Sequence, residues 1–251
     1  DRKAIDEIIN CCLESKIDVI DTAISYGNSQ RVLGSYNLDE FKLITKLPNA
    51  PIEKKNLNYW VKASVEESLR ELNISRLYGL LLHNPKDLAY DYGEQIYKAL
   101  LELKNENVIK KIGVSIYSPA ELDVITKKYD IDLVQAPYNV FDRRIDESGW
   151  LDKLSNLGIM VHTRSVFLQG LLLMDQDMPK YFMNWDDLFI SWKEWNNDNG
   201  YKPMESCLRF ALQQEKIEKV IIGVQSAKQL NEIISLSDTE EVLFPEHISS
   251  T

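Results

Sequence analysis

The chain has 251 residues, 44% of them hydrophobic and 27% charged, a balance typical of a globular protein with a substantial core. Its formal net charge of −10 at pH 7 disfavours binding to nucleic acid or to an anionic membrane surface, and its basic residues are scattered. Three cysteines are too few for a disulfide framework, and no His or Cys cluster has metal-ligand spacing. We therefore expect one domain over residues 1–251 that binds a small molecule and no metal.

The sequence contains no apolar run long enough to cross a bilayer, and its first ten residues do not form a signal peptide. A cytoplasmic location is expected, unless processing of the N-terminus has removed a signal. The sequence carries no indication of oligomeric state.

Short runs rich in β-branched residues or leucine recur along the chain, each separated from the next by enough residues for a helix. Seven of them predict buried parallel strands. They span residues 17–23, 41–47, 77–83, 111–116, 133–139, 159–167 and 219–224. Amphipathic stretches between them predict helices, such as the one beginning after Ser118, where Glu121 completes a capping box.

This alternation is typical of two α/β architectures, an open doubly wound sheet and a closed (β/α)8 TIM barrel. The fingerprint GxGxxG of the doubly wound sheet is absent, so the sequence favours the barrel. The chain opens on a predicted helix, and a barrel of seven strands would expose two unpaired edges. We therefore expect the first strand of the barrel to be missing from this sequence.

Four titratable residues lie at or just after the ends of three consecutive predicted strands, where a TIM barrel carries its chemistry. They are Asp21, Tyr26, Lys46 and His83. Each alone has a structural explanation. Asp21 could cap a turn, and Tyr26 could pack over a loop. Lys46 could extend its ammonium to solvent, and His83 could be a hydrogen-bonded core imidazole. Together they predict a carbonyl reductase. Its general acid is Tyr26, an ammonium held by a carboxylate stabilises the phenolate, and the imidazole orients the carbonyl.

These residues lie in segments that resemble aldo-keto reductases along nearly the whole chain. The segment DTAISYGNSQRVLG is similar to the Asp-Thr-Ala…Tyr-Gly-x-Ser motif of that family, and the later segments are ITKLP, LLLHNP, IKKIGVS, LVQAPYNVFDRR, RSVFLQGLL and VIIGVQSAKQLNEI. The resemblance implies NAD(P)H-dependent reduction of an aldehyde or ketone to an alcohol. It carries the family's catalytic tetrad to Asp21, Tyr26, Lys46 and His83, and it implies NADP(H) as the cofactor more than NAD(H).

The resemblance also implies a cofactor site after the later strands. Ser115 and Gln135 are expected to hold the nicotinamide carboxamide, and Arg164 stands where many members place an aromatic ring under the nicotinamide. Segment 223–232 resembles the loop and helix N-terminus that bind the adenosine phosphate, with Lys228 available to a 2′-phosphate. The full expected set is Ser115, Gln135, Arg164, Ser165, Phe167, Gln169, Gly170, Gly223, Gln225, Ser226, Lys228, Gln229 and Glu232. Two further departures from the family are Ile116 and Ile233, each at a position that often carries Asn.

The substrate side has two interpretations. Segment 181–203 places Trp192 and Trp195 on one helical face, which indicates either a surface helix that buries an aromatic stripe or a wall of the substrate pocket. Tyr117, Tyr138 and Phe141 follow strand ends and are further candidates for that wall.

Two other functions stay open at this point. The resemblance is also compatible with a redox-quiet NADP-binding regulatory subunit, because such members of the family retain the fold and the tetrad. A metal-dependent barrel aldolase is disfavoured, because no cluster of metal ligands stands at the predicted strand ends.

Overall fold

The computed structural model describes residues 2–51, 53, 56–174, 180–237 and 242–249. In these ranges strands and helices alternate, which confirms the predicted α/β class. The strands are β1 (Val19–Asp21), β2 (Lys42–Leu47), β3 (Leu77–Leu82), β4 (Ile109–Ser115), β5 (Leu133–Pro137), β6 (Met160–Arg164) and β7 (Lys219–Val220). The α-helices are α1 (Arg2–Glu14), α2 (Ser29–Leu33), α3 (Leu57–Leu72), α4 (Lys86–Ala89), α5 (Gly93–Asn105), α6 (Leu122–Lys128), α7 (Arg144–Glu147), α8 (Trp150–Asn156), α9 (Asp186–Asn199), α10 (Pro203–Leu212) and α11 (Ala227–Ser235). Short 3₁₀ helices span Pro119–Glu121, Leu168–Leu173, Lys180–Trp185 and Glu246–Ile248.

Every predicted strand overlaps an observed one, but the ends differ. The predicted strand 17–23 is reduced to Val19–Asp21, and the predicted strand 219–224 to Lys219–Val220, whereas β4 begins earlier than predicted, at Ile109. An apolar run marks burial, while a strand ends where its backbone hydrogen bonds to a neighbour end. The runs therefore predict the existence of strands better than their bounds.

The chain divides into two compact units. The β1–β5 unit comprises Lys16–Gln135 and Leu157–Met160, and the β6–β7 unit comprises Asp1–Ser15, Ala136–Asn156 and Val161–Thr251. The interpretation of residues 1–251 as a single domain stays a prediction.

Parallel pairing in chain order organises the β1–β5 unit. Asp21 of β1 lies opposite Ile44 of β2, and Lys46 of β2 lies opposite Leu81 of β3. The register continues from β3 to β4 and from β4 to β5, where Gly113 lies opposite both Leu81 and Leu133. A core cluster of Ile44, Leu81 and Leu133 is fully buried, with Val19 packed against it.

The helices of this unit begin and bury their faces as their sequences indicate. The Asn56 side chain caps α3 by accepting a hydrogen bond from the Tyr59 N–H at 2.9 Å, and Val61, Val65 and Leu72 of α3 are buried. The predicted capping box at Ser118 and Glu121 is present. None of the helices in the described ranges combines the length and the apolar composition needed to cross a bilayer.

Aromatic packing dominates the β6–β7 unit, in which β6 pairs in parallel with β7. Trp192 of α9 is buried, stacks on Trp195 and donates a hydrogen bond from Nε1 to the Leu172 carbonyl oxygen at 3.1 Å. Trp195 in turn contacts Phe244, which packs edge-on against Phe210 of α10. This packing accounts for the aromatic stripe of α9 as a core face.

A close approach between β4 and β5 requires glycine at position 113. A Cβ at Gly113 would lie 2.4 Å from the Leu133 carbonyl oxygen, a backbone atom that cannot move aside cheaply. We expect Gly113→Ala to lower the free energy of unfolding by about 1–3 kcal/mol, measured by urea denaturation. Gly223→Ala is the matched control, because a Cβ there meets no atom within 4 Å. Equal stability of the two variants would contradict the assigned β4–β5 contact.

Candidate active site

A polar layer lies next to the apolar core cluster of the β1–β5 unit. On four chain segments, an apolar residue of the cluster or packed against it is followed two positions later by a polar residue. Side chains two positions apart in an extended strand share a face, so the polar residues lie on the cluster's face, toward the carboxyl ends of the strands. The four pairs are Val19 and Asp21, Ile44 and Lys46, Leu81 and His83, and Leu133 and Gln135.

The Lys46 ammonium is buried and is compensated by a carboxylate. The Lys46 side chain is 1% exposed, and its Nζ forms an ion pair with Asp21 Oδ2. The same Nζ donates a second hydrogen bond, of 3.1 Å, to the Thr22 carbonyl oxygen. A charge taken out of water is tolerated only when it is paired and hydrogen-bonded. Asp21 and the backbone after β1 meet that requirement.

Tyr26 lies beside both the ammonium and the imidazole. Its ring centroid is 5.6 Å from Lys46 Nζ and 5.9 Å from the His83 ring centroid, and the two rings meet edge to face. Tyr26 is 49% exposed, whereas Lys46 is fully buried behind it. The phenol is therefore open to a small molecule, while the neighbouring cation is shielded from solvent. The structure thus brings the four residues of the predicted tetrad together.

Two contacts of this group were not foreseen from the sequence. Ser25 Oγ lies 3.2 Å from His83 Nδ1, close enough to set the tautomer and the orientation of the imidazole. Gln135 Nε2 donates a hydrogen bond of 2.9 Å to Asp21 Oδ1. Ser25 directly precedes Tyr26, and a polar residue next to a candidate acid was the available signal. No local signal exists for the link between Gln135 and Asp21, because the residues are 114 positions apart.

Ser115 and Gln135, the two residues expected at the carboxamide, are neighbours at the ends of β4 and β5. They lie opposite each other in the register, both are buried, and Ser115 Oγ donates to Gln135 Oε1 at 3.5 Å. Ile116, the departure from the family next to Ser115, is buried as well. These two side chains therefore present an amide and a hydroxyl beside the Asp21 carboxylate.

The loop after β6, in the β6–β7 unit, has an unusual backbone. Ser165, Leu168 and Gln169 have φ angles of 63°, 46° and 55°, and Gly170 has a φ of 92°. Non-glycine residues rarely adopt positive φ, and such strain concentrates at ligand sites. This loop contains Ser165, Phe167, Gln169 and Gly170, four of the residues expected to contact the cofactor.

Two side chains, those of Asn139 and Arg164, hold Ser165, the first residue of this loop, by hydrogen bonds. The Asn139 side-chain amide donates a hydrogen bond of 3.0 Å to the Ser165 carbonyl oxygen, and Arg164 Nη1 donates one of 3.2 Å to Ser165 Oγ. Asn139 is fully buried, and its Oδ1 accepts from the Phe141 and Asp142 N–H groups. Its importance was missed from the sequence, although a polar residue at the end of the predicted strand 133–139 was a usable signal.

The N-terminus of α11 carries the other expected cofactor residues. Ser226 is its N-cap and accepts the Gln229 N–H at 3.2 Å, and Gln229 Oε1 accepts the Gln225 N–H at 2.9 Å. Gln229 therefore has a capping role in the structure. Lys228 and Glu232 are exposed on this helix, as is Gly223 before it, whereas Ile233 is buried in the core.

The candidates for a substrate wall differ in their exposure. Tyr138 and Phe141 are buried, and Tyr138 stacks on Phe210. Burial raises the pKa of Tyr138 to about 12, so this phenol is a poor proton donor near neutral pH. Tyr117 is 59% exposed and stays a candidate.

A cavity of about 1000 Å³ lies elsewhere in the β1–β5 unit, at the amino ends of β2, β3 and β4. Residues such as Lys42, Arg76 and Tyr78 line it, and no predicted site residue does. In α/β barrels the chemistry lies at the carboxyl ends of the strands, so we place the candidate site at the polar layer. In the described part of the chain, no group of three or more His, Cys, Asp and Glu residues is arranged to hold a metal ion.

Comparison with known proteins gives matches along the whole chain. A family model described as Aldo/keto reductase family matches residues 1–248. The uncharacterized oxidoreductase YqkF of Bacillus subtilis is 26% identical over 94% of this chain and 82% of its own length. The aldo-keto reductase YhdN of the same organism is 29% identical over 59% of this chain and 47% of its own length.

A solved structure supports the architecture. The holo form of the aldo-keto reductase AKR11C1 from Bacillus halodurans matches with a TM-score of 0.83 over 99% of this chain and 87% of that chain, at 23% identity. This likeness confirms the predicted (β/α)8-barrel fold. Because the family model covers nearly the entire sequence, the chain belongs to the aldo/keto reductase family.

Proposed function

We propose that the chain reduces an aldehyde or ketone to an alcohol with NADPH, and that Tyr26 is the general acid. Membership of the family, together with relatives named as oxidoreductases, supports carbonyl oxidoreduction as the general class. The observation that carries the finer proposal is the convergence of the exposed Tyr26 phenol with the buried Lys46–Asp21 pair and with His83.

Each of these side chains has a distinct role in the proposal. Tyr26 gives its proton to the carbonyl oxygen, and the Lys46 ammonium stabilises the phenolate that remains. Asp21 keeps Lys46 in place and charged. His83, oriented by Ser25, donates a hydrogen bond to the carbonyl oxygen. When bound, the nicotinamide supplies the hydride that the carbonyl carbon receives.

The residues of each unit, taken by itself, fit a part of a nicotinamide dinucleotide. In the β1–β5 unit, Ser115 and Gln135 offer a hydroxyl and an amide to the carboxamide. In the β6–β7 unit, the strained loop from Ser165 to Gly170 supplies backbone N–H groups for a pyrophosphate, as backbone turned into positive φ commonly does. A Cβ at Gly223 meets no atom within 4 Å, which leaves room for a ligand against the backbone before α11.

The proposed preference for NADP(H) over NAD(H) rests on Lys228. It lies in the first turn of α11, where the helix dipole and the lysine charge both favour a phosphate. We expect Lys228→Met to raise the dissociation constant for NADPH about tenfold and to leave that for NADH unchanged, measured by fluorescence titration. Lys127→Met, on the exposed surface of α6, is the control and should change neither. An equal loss of affinity for both cofactors would overturn the assignment of Lys228 to the 2′-phosphate.

The direct test is a turnover assay. The purified protein should quench its tryptophan fluorescence on addition of NADPH, and it should consume NADPH in the presence of an aldehyde such as para-nitrobenzaldehyde. Tight binding of NADPH without turnover across a panel of aldehydes and ketones would overturn the reductase proposal and favour a redox-quiet subunit. A cytoplasmic location and a small-molecule carbonyl substrate remain part of the proposal.

A further inference from the structure

Gln135 belongs to the same polar layer as the proposed catalytic residues. It follows Leu133 of the core cluster by two positions, as Lys46 follows Ile44. Its side chain is 1% exposed and makes two defined contacts, because Nε2 donates to Asp21 Oδ1 at 2.9 Å and Oε1 accepts from Ser115 Oγ at 3.5 Å. Each end of the amide therefore has one protein partner, and one N–H and one oxygen lone pair stay available to a ligand.

The Asp21 carboxylate is held from two sides. Its Oδ2 pairs with Lys46 Nζ, and its Oδ1 accepts from Gln135. A largely buried carboxylate needs a donor for each oxygen, and its orientation follows from where those donors stand. Because the Lys46 ammonium lies 5.6 Å from the centre of the Tyr26 ring, two groups, Asp21 and Lys46, connect the Gln135 amide to the surroundings of Tyr26.

We propose that Gln135 is a positioning residue for the Asp21–Lys46 pair, in addition to its expected contact with the carboxamide. The relevance of this role to catalysis rests on the proposed function. The effect of the Gln135 hydrogen bond on the charges around Tyr26 does not depend on turnover.

The direction of the effect follows from the charges around Tyr26. The titratable groups that the described contacts put near its ring are Lys46 from β2 and His83 from the segment after β3, with Asp21 of β1 behind Lys46. The Gln135 N–H takes up part of the negative charge of Asp21. Without the Gln135 hydrogen bond, the Asp21 carboxylate offsets more of the positive charge of Lys46. The Lys46 ammonium then stabilises a negative charge on the Tyr26 phenol less strongly. The phenolate is then less stabilised, so Tyr26 titrates at higher pH.

The experiment is a titration of Tyr26 by NMR in the protein without cofactor or substrate. The phenol carbon that bears the hydroxyl is labelled with carbon-13 in all tyrosines, and the Tyr26 resonance is assigned by its loss in Tyr26→Phe. We expect Gln135→Leu to raise the titration midpoint of Tyr26 by about one pH unit. Gln135→Met, which keeps the length of the side chain but cannot donate to Asp21, should raise it by a similar amount and guards against an effect of packing in the leucine variant.

Ser115→Ala is the matched control. It removes the hydroxyl at the other end of the Gln135 amide and leaves the hydrogen bond to Asp21 in place, so the Tyr26 midpoint should stay at the wild-type value. A Gln135→Leu midpoint equal to that of the wild type, or equal shifts in Gln135→Leu and Ser115→Ala, would overturn the proposal. Because no turnover is needed, failure of this test is distinguishable from failure of the reductase activity.

Discussion

Replacement of Tyr26 by phenylalanine is expected to lower kcat/KM for aldehyde reduction by about 100- to 10,000-fold, the range that a positioned proton donor contributes. The phenylalanine ring retains the shape of the tyrosine ring and its contacts with Lys46 and His83, but it has no proton to give. NADPH affinity should be unchanged, because the phenol hydroxyl is assigned to the carbonyl and not to the cofactor. Steady-state assays and fluorescence titrations on the same preparation measure both quantities.

Tyr59→Phe is the matched control for this substitution. Tyr59 lies in the first turn of α3 and is 70% exposed, so loss of its hydroxyl should leave both rate and affinity at the wild-type level. Wild-type turnover in the Tyr26→Phe variant would mean that another group protonates the carbonyl oxygen.

Replacement of Lys46 by methionine should have two large effects. The Asp21 carboxylate would lose its counter-ion in a largely buried position, which is expected to lower the free energy of unfolding by about 3–5 kcal/mol. Activity should fall as well, because the variant lacks the cation that we propose to stabilise the Tyr26 phenolate. Urea denaturation measures the first effect, and kcat of the folded fraction measures the second.

Strand β2 also supplies the control for this experiment. Lys42 pairs with Asp18 at 2.6 Å, but their side chains are 45% and 34% exposed. A solvent-exposed ion pair contributes little, so Lys42→Met should cost less than about 1 kcal/mol and leave kcat unchanged. Equal destabilisation by the two substitutions would contradict the burial on which the role of Lys46 depends.

The fold was largely predictable from the sequence, because alternating apolar runs and amphipathic stretches carry the information for a β/α repeat. All seven predicted strands exist, and the α3 stripe and the Ser118 capping box are where the sequence indicates. The strand ends were not predictable. Of the predicted strand 219–224, only Lys219–Val220 is strand. Hydrogen bonds to a neighbouring strand leave no trace in composition, so the end of this strand does not follow from its sequence.

The part of the candidate site that could be predicted consists of titratable residues at the ends of predicted strands, where an α/β barrel carries its chemistry. Asp21, Lys46 and His83 stand at strand ends, and the structure brings them together with Tyr26. The contacts that orient these groups were not predictable, because they join distant segments. The link from Gln135 to Asp21 depends on register across five strands.

Transfer of an isotope label tests the central claim most directly. The protein is incubated with para-nitrobenzaldehyde and with NADPH that carries deuterium at both hydrogens of the reactive ring carbon, and the alcohol is analysed by mass spectrometry. The expected product carries one deuterium on its carbinol carbon in the wild type, and Tyr26→Phe should form it about 100- to 10,000-fold more slowly at low substrate concentration. A wild-type protein that binds NADPH tightly but yields no labelled alcohol would contradict the assignment of the polar layer to carbonyl reduction.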